Sequence, residues 1–159
     1  MLQKNFRLLG LVLLLLLTAV ACQTTKFTTN PNSLVKWRSL ADGEHEAKEK
    51  GMPVLIDFFS GGQCIRCEYF ENTIYNDPEI ADRVNRNFVP VRIYKNWEPT
   101  IAELKLIRQL SPDAECVLAF LDKNGHIVND EKGEHISSFD QLDKKEFNAI
   151  VDKALASLK

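Results

Sequence analysis

The chain has 159 residues, 45% of them hydrophobic and 26% charged, with a net charge of -2. That balance excludes a disordered or fibrous chain and leaves one small globular domain as the default. The apolar residues are unevenly spread, because Leu8 to Val20 is an almost unbroken 13-residue run holding eight leucines. Lys4 and Arg7 precede this run, and the small residues Ala19 and Ala21 lead into Cys22. Basic, apolar and small residues in that order form the pattern of a secretory signal, and the run is too short to cross a bilayer comfortably.

The segment Thr18-Ala19-Val20-Ala21-Cys22 resembles the lipobox of bacterial lipoprotein signals, with Ala19 where Leu is usual. The resemblance implies cleavage before Cys22, acylation of that cysteine with palmitate-type chains, and a periplasm-facing outer-membrane address in a Gram-negative cell. Ordinary secretory cleavage, leaving Cys22 as a free thiol, is the alternative. Loss of residues 1 to 21 removes two of 20 basic residues and no acids, leaving 18 basic against 22 acidic side chains and a net charge of -4. Such a chain has no basic footprint for nucleic acid. Gln23 to Ser33 is rich in Thr, Asn and Pro without apolar period, and reads as a flexible tether. The expected organisation is a signal peptide over 1–21, a tether over 22–33 and a domain over 34–159, long enough to bury a core without disulfide staples.

Leu34, Val35 and Trp37 open the domain with a short apolar segment, and Leu40 to Lys50 has helical character interrupted by Gly43. Val54 to Phe59 is a continuous apolar run of strand length, broken only by Asp57, which argues for burial on both faces of a sheet. Ser60-Gly61-Gly62 signals a turn, after which Ile65, Tyr69, Phe70 and Ile74 recur at helical spacing to about Asn76. Asp77-Pro78-Glu79 has the form of a cap with proline at the first helical position, opening a helix through Asn87 with Ile80 and Val84 inward.

Phe88 to Tyr94 reads as the next strand, with Pro90 marking an irregular or edge position. Pro99 to Leu110 follows as an amphipathic helix carrying Ile101, Leu104, Ile107 and Leu110 on its inner face. Cys116 to Leu121 is a further strand, and Lys123-Asn124-Gly125 is a hairpin turn feeding Ile127 and Val128. Apolar residues spaced from Phe139 to Leu158 describe a terminal helix. The order β, α, α, β, α, β, β, α gives an α/β fold, a central mixed sheet with helices on both faces.

Cys64-Ile65-Arg66-Cys67 sits where a buried strand turns into a helix. Cysteines three residues apart on a first helical turn share a face and can close a small disulfide ring. A helix N-terminus favours thiolate over thiol, and Arg66 adds a fixed cation nearby. A thiolate at Cys64 attacks a substrate disulfide, and Cys67, the more buried thiol, resolves the mixed disulfide. An inert structural disulfide and half of a zinc site are the competing uses of such a pair, although no second CxxC is present.

At this point the chain resembles the thioredoxin superfamily, in particular small exported domains similar to the C-terminal domain of the transmembrane disulfide reductase. The likeness is carried by Met52 to Phe59, the CxxC, Asn76 to Ile80, Asn87 to Val91 and Phe120 to Gly125, in order across roughly residues 34 to 158. It implies a thioredoxin-like fold and dithiol–disulfide exchange without a cofactor other than the Cys64–Cys67 disulfide. Implied partners of a monomeric domain are protein thiols or disulfides and an upstream redox protein, with the membrane reached through the lipid. Asp57 then falls where the family places an acid behind the second cysteine. Desolvation raises such a carboxyl and fits it to accept a proton from the resolving thiol, whereas the bland alternative has it pointing to solvent.

Three residues depart from the family pattern. Gln63 stands where Trp usually precedes the first cysteine, making the neighbouring surface more polar, and Ile65-Arg66 replaces the common Gly-Pro. The third departure is Cys116 at the family's cis-proline position, for which a trans Glu115–Cys116 bond is expected because a non-proline cis bond costs about 2.5–4 kcal/mol. A third sulfur opens an alternative function, a metal-binding or metal-delivery module in which Cys64, Cys67 and Cys116 hold zinc, copper(I) or an iron–sulfur cluster. Its plain alternative is a small buried core residue. His45, His126 and His135 lack paired spacing and read as solvent-facing, and Trp97 as a loop residue at the core edge. The direction of electron flow depends on the disulfide's potential relative to its compartment and recharging partner.

Overall fold

A computed structural model describes residues 32–60, 64–95, 98–110, 117–138 and 141–159. The signal segment, Cys22, most of the tether, Gly61-Gly62, Gln63, Trp97, Pro112, Cys116 with its preceding bond, and Phe139 lie outside the described residues.

The first helix, α1 (Leu40–Lys50), is capped by Ser39, whose side chain accepts from Asp42 N, and ends at Gly51, left-handed at φ 67°. Gly43 does not interrupt it. The residue is buried, and a Cβ there would stand 2.1 Å from Val91 Cγ2, so glycine is what lets α1 lie directly on the sheet. Strand β1 (Val54–Phe59) follows, then α2 (Ile65–Tyr69), which widens without a break into a π-helix (Phe70–Tyr75). Helix α3 (Pro78–Asn87) starts as its sequence indicates, with Asp77 Oδ1 accepting from Glu79 N at 3.0 Å and Ile80 N at 3.1 Å.

Strand β2 (Val89–Tyr94), helix α4 (Ile101–Leu110), strand β3 (Val117–Leu121), the two-residue strand β4 (Ser137–Ser138) and helix α5 (Lys144–Ser157) complete the order. Helix α5 begins later than its apolar spacing suggests because Asp143 and Glu146 form a reciprocal capping box that fixes its first turn. The sheet runs β2-β1-β3-β4, with β1 and β2 parallel and the other neighbours antiparallel. Strand β2 therefore lies at the edge, where the missing N–H of Pro90 is tolerated.

Alternation along β1 divides the core. Val54, Ile56 and Phe58 join Val89, Val91, Ile93, Leu106 and Leu110 on the face covered by α1 and α4. Leu55 joins Phe70, Ile74, Tyr75, Val84, Phe120 and Phe147 on the opposite face, under the π-helix, α3 and α5. The mixed sheet with helices on both faces thus stands as the sequence indicates.

Two further expectations are corrected. Helix α4 buries Leu106 and Leu110, while Ile101 is 89% exposed and Leu104 37% exposed. Its apolar residues occupy so much of the circumference that spacing alone does not select the inner face. The turn at Lys123 to Gly125 forms, but Ile127 makes only a single bridge to Leu121, and the fourth strand is the polar Ser137–Ser138 against Leu118 and Ala119.

Candidate active site

Cys64 and Cys67 are joined as a disulfide, with Cα atoms 5.2 Å apart. Strand β1 delivers the chain to this point, and Cys64, in extended conformation at φ -94°, serves as N-cap of α2, its sulfur accepting from Cys67 N at 3.1 Å. The first cysteine thereby occupies the positive end of a helical segment. Both are buried, Cys64 at 4% exposure and Cys67 at 2%, so the expected contrast between an open and a covered thiol is small. Their surroundings distinguish them instead. Cys67 lines a cavity of about 10 Å³ together with Asp57, Arg66, Phe70, Val117, Leu118 and Ser138. That is about the volume one water molecule needs, in a cavity that both Cys67 and Asp57 line. Ile65, beside Cys64, is 81% exposed.

Asp57 points inward, not to solvent. Period two along β1 puts it on the face of Leu55, beneath the π-helix, and it is 6% exposed. Its cross-strand partner in β2 is Arg92, whose Nε donates to Asp57 Oδ2 at 2.8 Å and whose Nη2 lies 2.8 Å from Glu71 Oε2. The guanidinium is 2% exposed and enclosed by rings, 4.2 Å from the Trp37 centroid, 4.6 Å from Phe59 and 5.5 Å from Tyr75. Aromatic faces and two carboxylates together compensate the desolvation of a cation that is otherwise costly to bury. Phe59 also packs against the two cysteines, so one ring separates the cation from the disulfide.

The π-helix explains why Glu71 and Tyr75 reach this cluster. Its wider turn, closed by Asn76 N donating to Glu71 O at 3.1 Å, sets both residues on the inner side of a helix whose outer side is polar. Such insertions recur at functional sites. Arg92 Nη2 and Glu71 Oε2 thus pair at 2.8 Å, and the Tyr75 hydroxyl faces the Asp57 carboxylate.

Burial pushes the Asp57 carboxyl above its ordinary value; Arg92 opposes the shift, and the Glu71 charge adds to it. Burial likewise raises the Tyr75 hydroxyl well above the usual phenol range, reinforced by the Asp57 charge, and raises Tyr94. Desolvation works against the Arg92 cation, but Asp57 and Glu71 outweigh it and hold the group charged.

The structure thus brings Cys64, Cys67, Arg66 and Asp57 together. Of the residues singled out in the sequence, Gln63, Cys116 and Cys22 fall outside the described segments. Among the described residues, no group of three or more His, Cys, Asp or Glu side chains stands close enough to hold a metal ion. His45, His126 and His135 are exposed and pair locally with Glu49, Asp122 and Asn129. Sequence reasoning did not single out Arg92, Glu71, Tyr75 or the ring of Trp37. A signal for Arg92 existed: β1 and β2 are six-residue apolar strands, each with one charge of opposite sign at its fourth position, and they pair in register.

The family Thioredox_DsbH, described as "Protein of unknown function, DUF255", matches residues 18–116. Among solved structures, "DsbH Oxidoreductase" superposes with a TM-score of 0.57 at 16% identity, covering 81% of this chain and 91% of its own. A thioredoxin from Thermus thermophilus gives 0.56 at 18% identity, over 74% of this chain and 85% of that one. An uncharacterised thioredoxin-like protein from Clostridium perfringens gives 0.52 at 16% identity, over 84% and 91%. At these identities the likeness establishes the fold.

Proposed function

The chain belongs to the Thioredox_DsbH family and holds, on a thioredoxin-like fold, a CxxC disulfide of the kind thiol–disulfide oxidoreductases use; on that premise we propose that it exchanges disulfides with proteins of the bacterial envelope while tethered to a membrane through Cys22. The observation that carries the exchange reading is the position of the disulfide. It closes the head of a helix, and its second cysteine lines a water-sized cavity together with the buried Asp57. The tether reading is supported by the order Lys4, Arg7, Leu8 to Val20 and Ala21-Cys22, followed by a polar segment.

In the reduced protein the Cys64 thiolate attacks one sulfur of a substrate disulfide, forming Cys64–S–S–R and releasing the other substrate sulfur as a thiolate. Cys67 then passes its proton through the cavity to Asp57 and attacks Cys64 Sγ. The Cys64–Cys67 bond forms, the second substrate sulfur leaves with the electron pair of the broken bond, and the proton follows to the leaving thiolate or to solvent. Two electrons have moved from the Cys64/Cys67 dithiol to the substrate. Run backwards, the same steps oxidise a substrate dithiol. Exposed Ile65 beside the disulfide supplies apolar surface for a polypeptide substrate.

Insulin reduction by dithiothreitol tests the reading. The wild-type protein accelerates precipitation of the freed B chain and Cys64→Ser does not; equal rates for the two would refute it. Membrane attachment is tested separately, by the loss of the Cys22→Ser protein from the membrane fraction of expressing cells.

A further inference from the structure

We infer that the cleft between α1 and the Asp122 to Gly125 turn is a second binding site, one that takes a free dipeptide-sized molecule carrying an ammonium group and two carboxylates. The cleft has a volume of about 320 Å³ and is lined by Glu44, Ala47, Lys48, Val54 and the turn itself. That is the room of about ten water molecules and falls at the lower end of the range for ligand clefts. It is separate from the disulfide. Val54 opens β1 and Phe59, which packs on the cysteines, closes it, so roughly 16 Å of strand lies between the two places.

Floor and rim differ in character. Ala47 and Val54 belong to the core between α1 and the sheet and give the cleft an apolar base. Around that base stand the exposed side chains of Glu44, Lys48 and Lys123, with the Asn124 carboxamide beside them to donate and accept. These charges are unpaired where their neighbours are paired. On α1, His45 Nδ1 lies 3.4 Å from Glu49 Oε2, and Lys50 Nζ lies 2.7 Å from Glu46 Oε1. Glu44 and Lys48 have the same four-residue spacing, with the acid on the N-terminal side as a helix favours, yet they form no ion pair. Among the described residues, neither they nor Lys123 has a hydrogen-bond or ion-pair partner. Glu44 Oε1 instead reaches across toward the turn, standing 3.9 Å from where a Cβ on Gly125 would lie.

Asp122, the other carboxylate of the cleft, is committed within its own turn. Its Oδ1 accepts from Asn124 N at 2.8 Å and His126 N at 2.9 Å, and its Oδ2 faces His126 Nδ1 at 3.1 Å. Two unpaired lysines and one unpaired glutamate therefore leave the rim with one net positive charge. The complementary ligand has two carboxylates for Lys48 and Lys123, one ammonium for Glu44, an amide for Asn124 and a small apolar part for the floor. Such a rim binds without first giving up an internal ion pair, and it discriminates against the same skeleton with the opposite charge. The dipeptide Ala-Glu has this set of groups.

The test is a titration of the isotope-labelled full-length protein with Ala-Glu, Ala-Ala and Ala-Lys, followed through the backbone amide resonances of Ala47, Val54 and Gly125. Ala-Glu saturates these shifts with a dissociation constant of about 1 mM, the value a ligand of its size ordinarily reaches, and Ala-Ala and then Ala-Lys bind progressively more weakly. Lys48→Gln and Lys123→Gln each weaken Ala-Glu by about three- to fivefold, the worth of one exposed ion pair. Glu44→Gln weakens Ala-Glu similarly but leaves N-acetyl-Ala-Glu, which has no ammonium, bound at least as well as by wild type. All three substituted side chains are exposed, so the variants keep the fold. Shifts that do not saturate, equal affinity for the three dipeptides, or Ala-Glu affinity unchanged in both lysine variants overturns the inference. Tighter binding of N-acetyl-Ala-Glu than of Ala-Glu by wild type also overturns it, assigning the cleft to the C-terminal end of a longer chain. None of these outcomes depends on whether Cys64 and Cys67 exchange disulfides.

Discussion

Gly43→Ala sets two known effects against each other at the point where α1 meets the sheet. Alanine is favoured over glycine by about 1 kcal/mol within an exposed helix. Here the added Cβ would lie 2.1 Å from Val91 Cγ2 and 3.6 Å from Arg38 Cβ and Val91 Cβ. Carbon atoms rest at about 3.5–4.0 Å, so the first contact is short by roughly 1.5 Å. Val91 is fully buried in the middle of β2. The helix must lift from the sheet or the valine must leave its rotamer, and overpacking of this kind costs about 1–3 kcal/mol or more. The clash outweighs propensity, for a net loss of about 1–2 kcal/mol and a melting temperature lower by roughly 4–8 °C in a domain of this size. Urea unfolding of wild type, Gly43→Ala, Val91→Ala and the double variant reads it out. In the double variant the new methyl fills part of the space Val91 vacates, so its loss is smaller than the sum of the two single losses by about 1 kcal/mol. A Gly43→Ala protein as stable as wild type, or more so, would refute the close packing of α1 on β2.

Two further outcomes are expected. Glu46 accepts from Arg38 Nε and Nη2, each at 2.8 Å, and from Lys50; the Arg38 hydrogen bonds are the largest cause holding its carboxyl at about 2 instead of 4.5. A depressed folded-state value contributes stability above the unfolded value and loses it as pH falls, so Glu46→Gln is destabilised by about 1 kcal/mol at pH 7. The difference closes between about pH 4.5 and 2; a gap unchanged at pH 2 in urea titrations would contradict the ion pair's role. Cys67→Ser leaves the Cys64 thiolate without its resolving partner, so incubation with a disulfide-bonded protein accumulates a mixed disulfide through Cys64, visible by non-reducing electrophoresis and mass. Accumulation instead in Cys64→Ser would reverse the two assignments.

The elements most legible in the sequence are those whose pattern has one physical meaning. A six-residue apolar run is a buried strand, and Asp77-Pro78 is a helix start because the aspartate meets two amides the helix leaves open. The CxxC at a strand-to-helix turn is equally direct, since the local geometry that brings two thiols together also creates the helix end that activates one. Helix α4 was less legible, as Ile101, Leu104, Leu106, Ile107 and Leu110 cover too much of the helix to choose a face. Strand β4 was not legible at all, because two serines pair through backbone and carry no hydrophobic signal. Asp57 was readable as a buried acid, but its cation required β1 and β2 to be set in register, and Glu71 required a π-helix that no residue pattern announces. The charge cluster is therefore a product of tertiary placement, while the sulfur chemistry is local.

The central claim is that Cys64 and Cys67 form a working disulfide, and its most direct test is equilibration of the folded protein against graded ratios of reduced and oxidised dithiothreitol or glutathione, with trapped thiols counted by mass. The account predicts a reversible two-electron transition in which Cys64 and Cys67 gain and lose thiols together while the domain stays folded. A disulfide that resists millimolar thiol under native conditions, and yields only after unfolding, would contradict it.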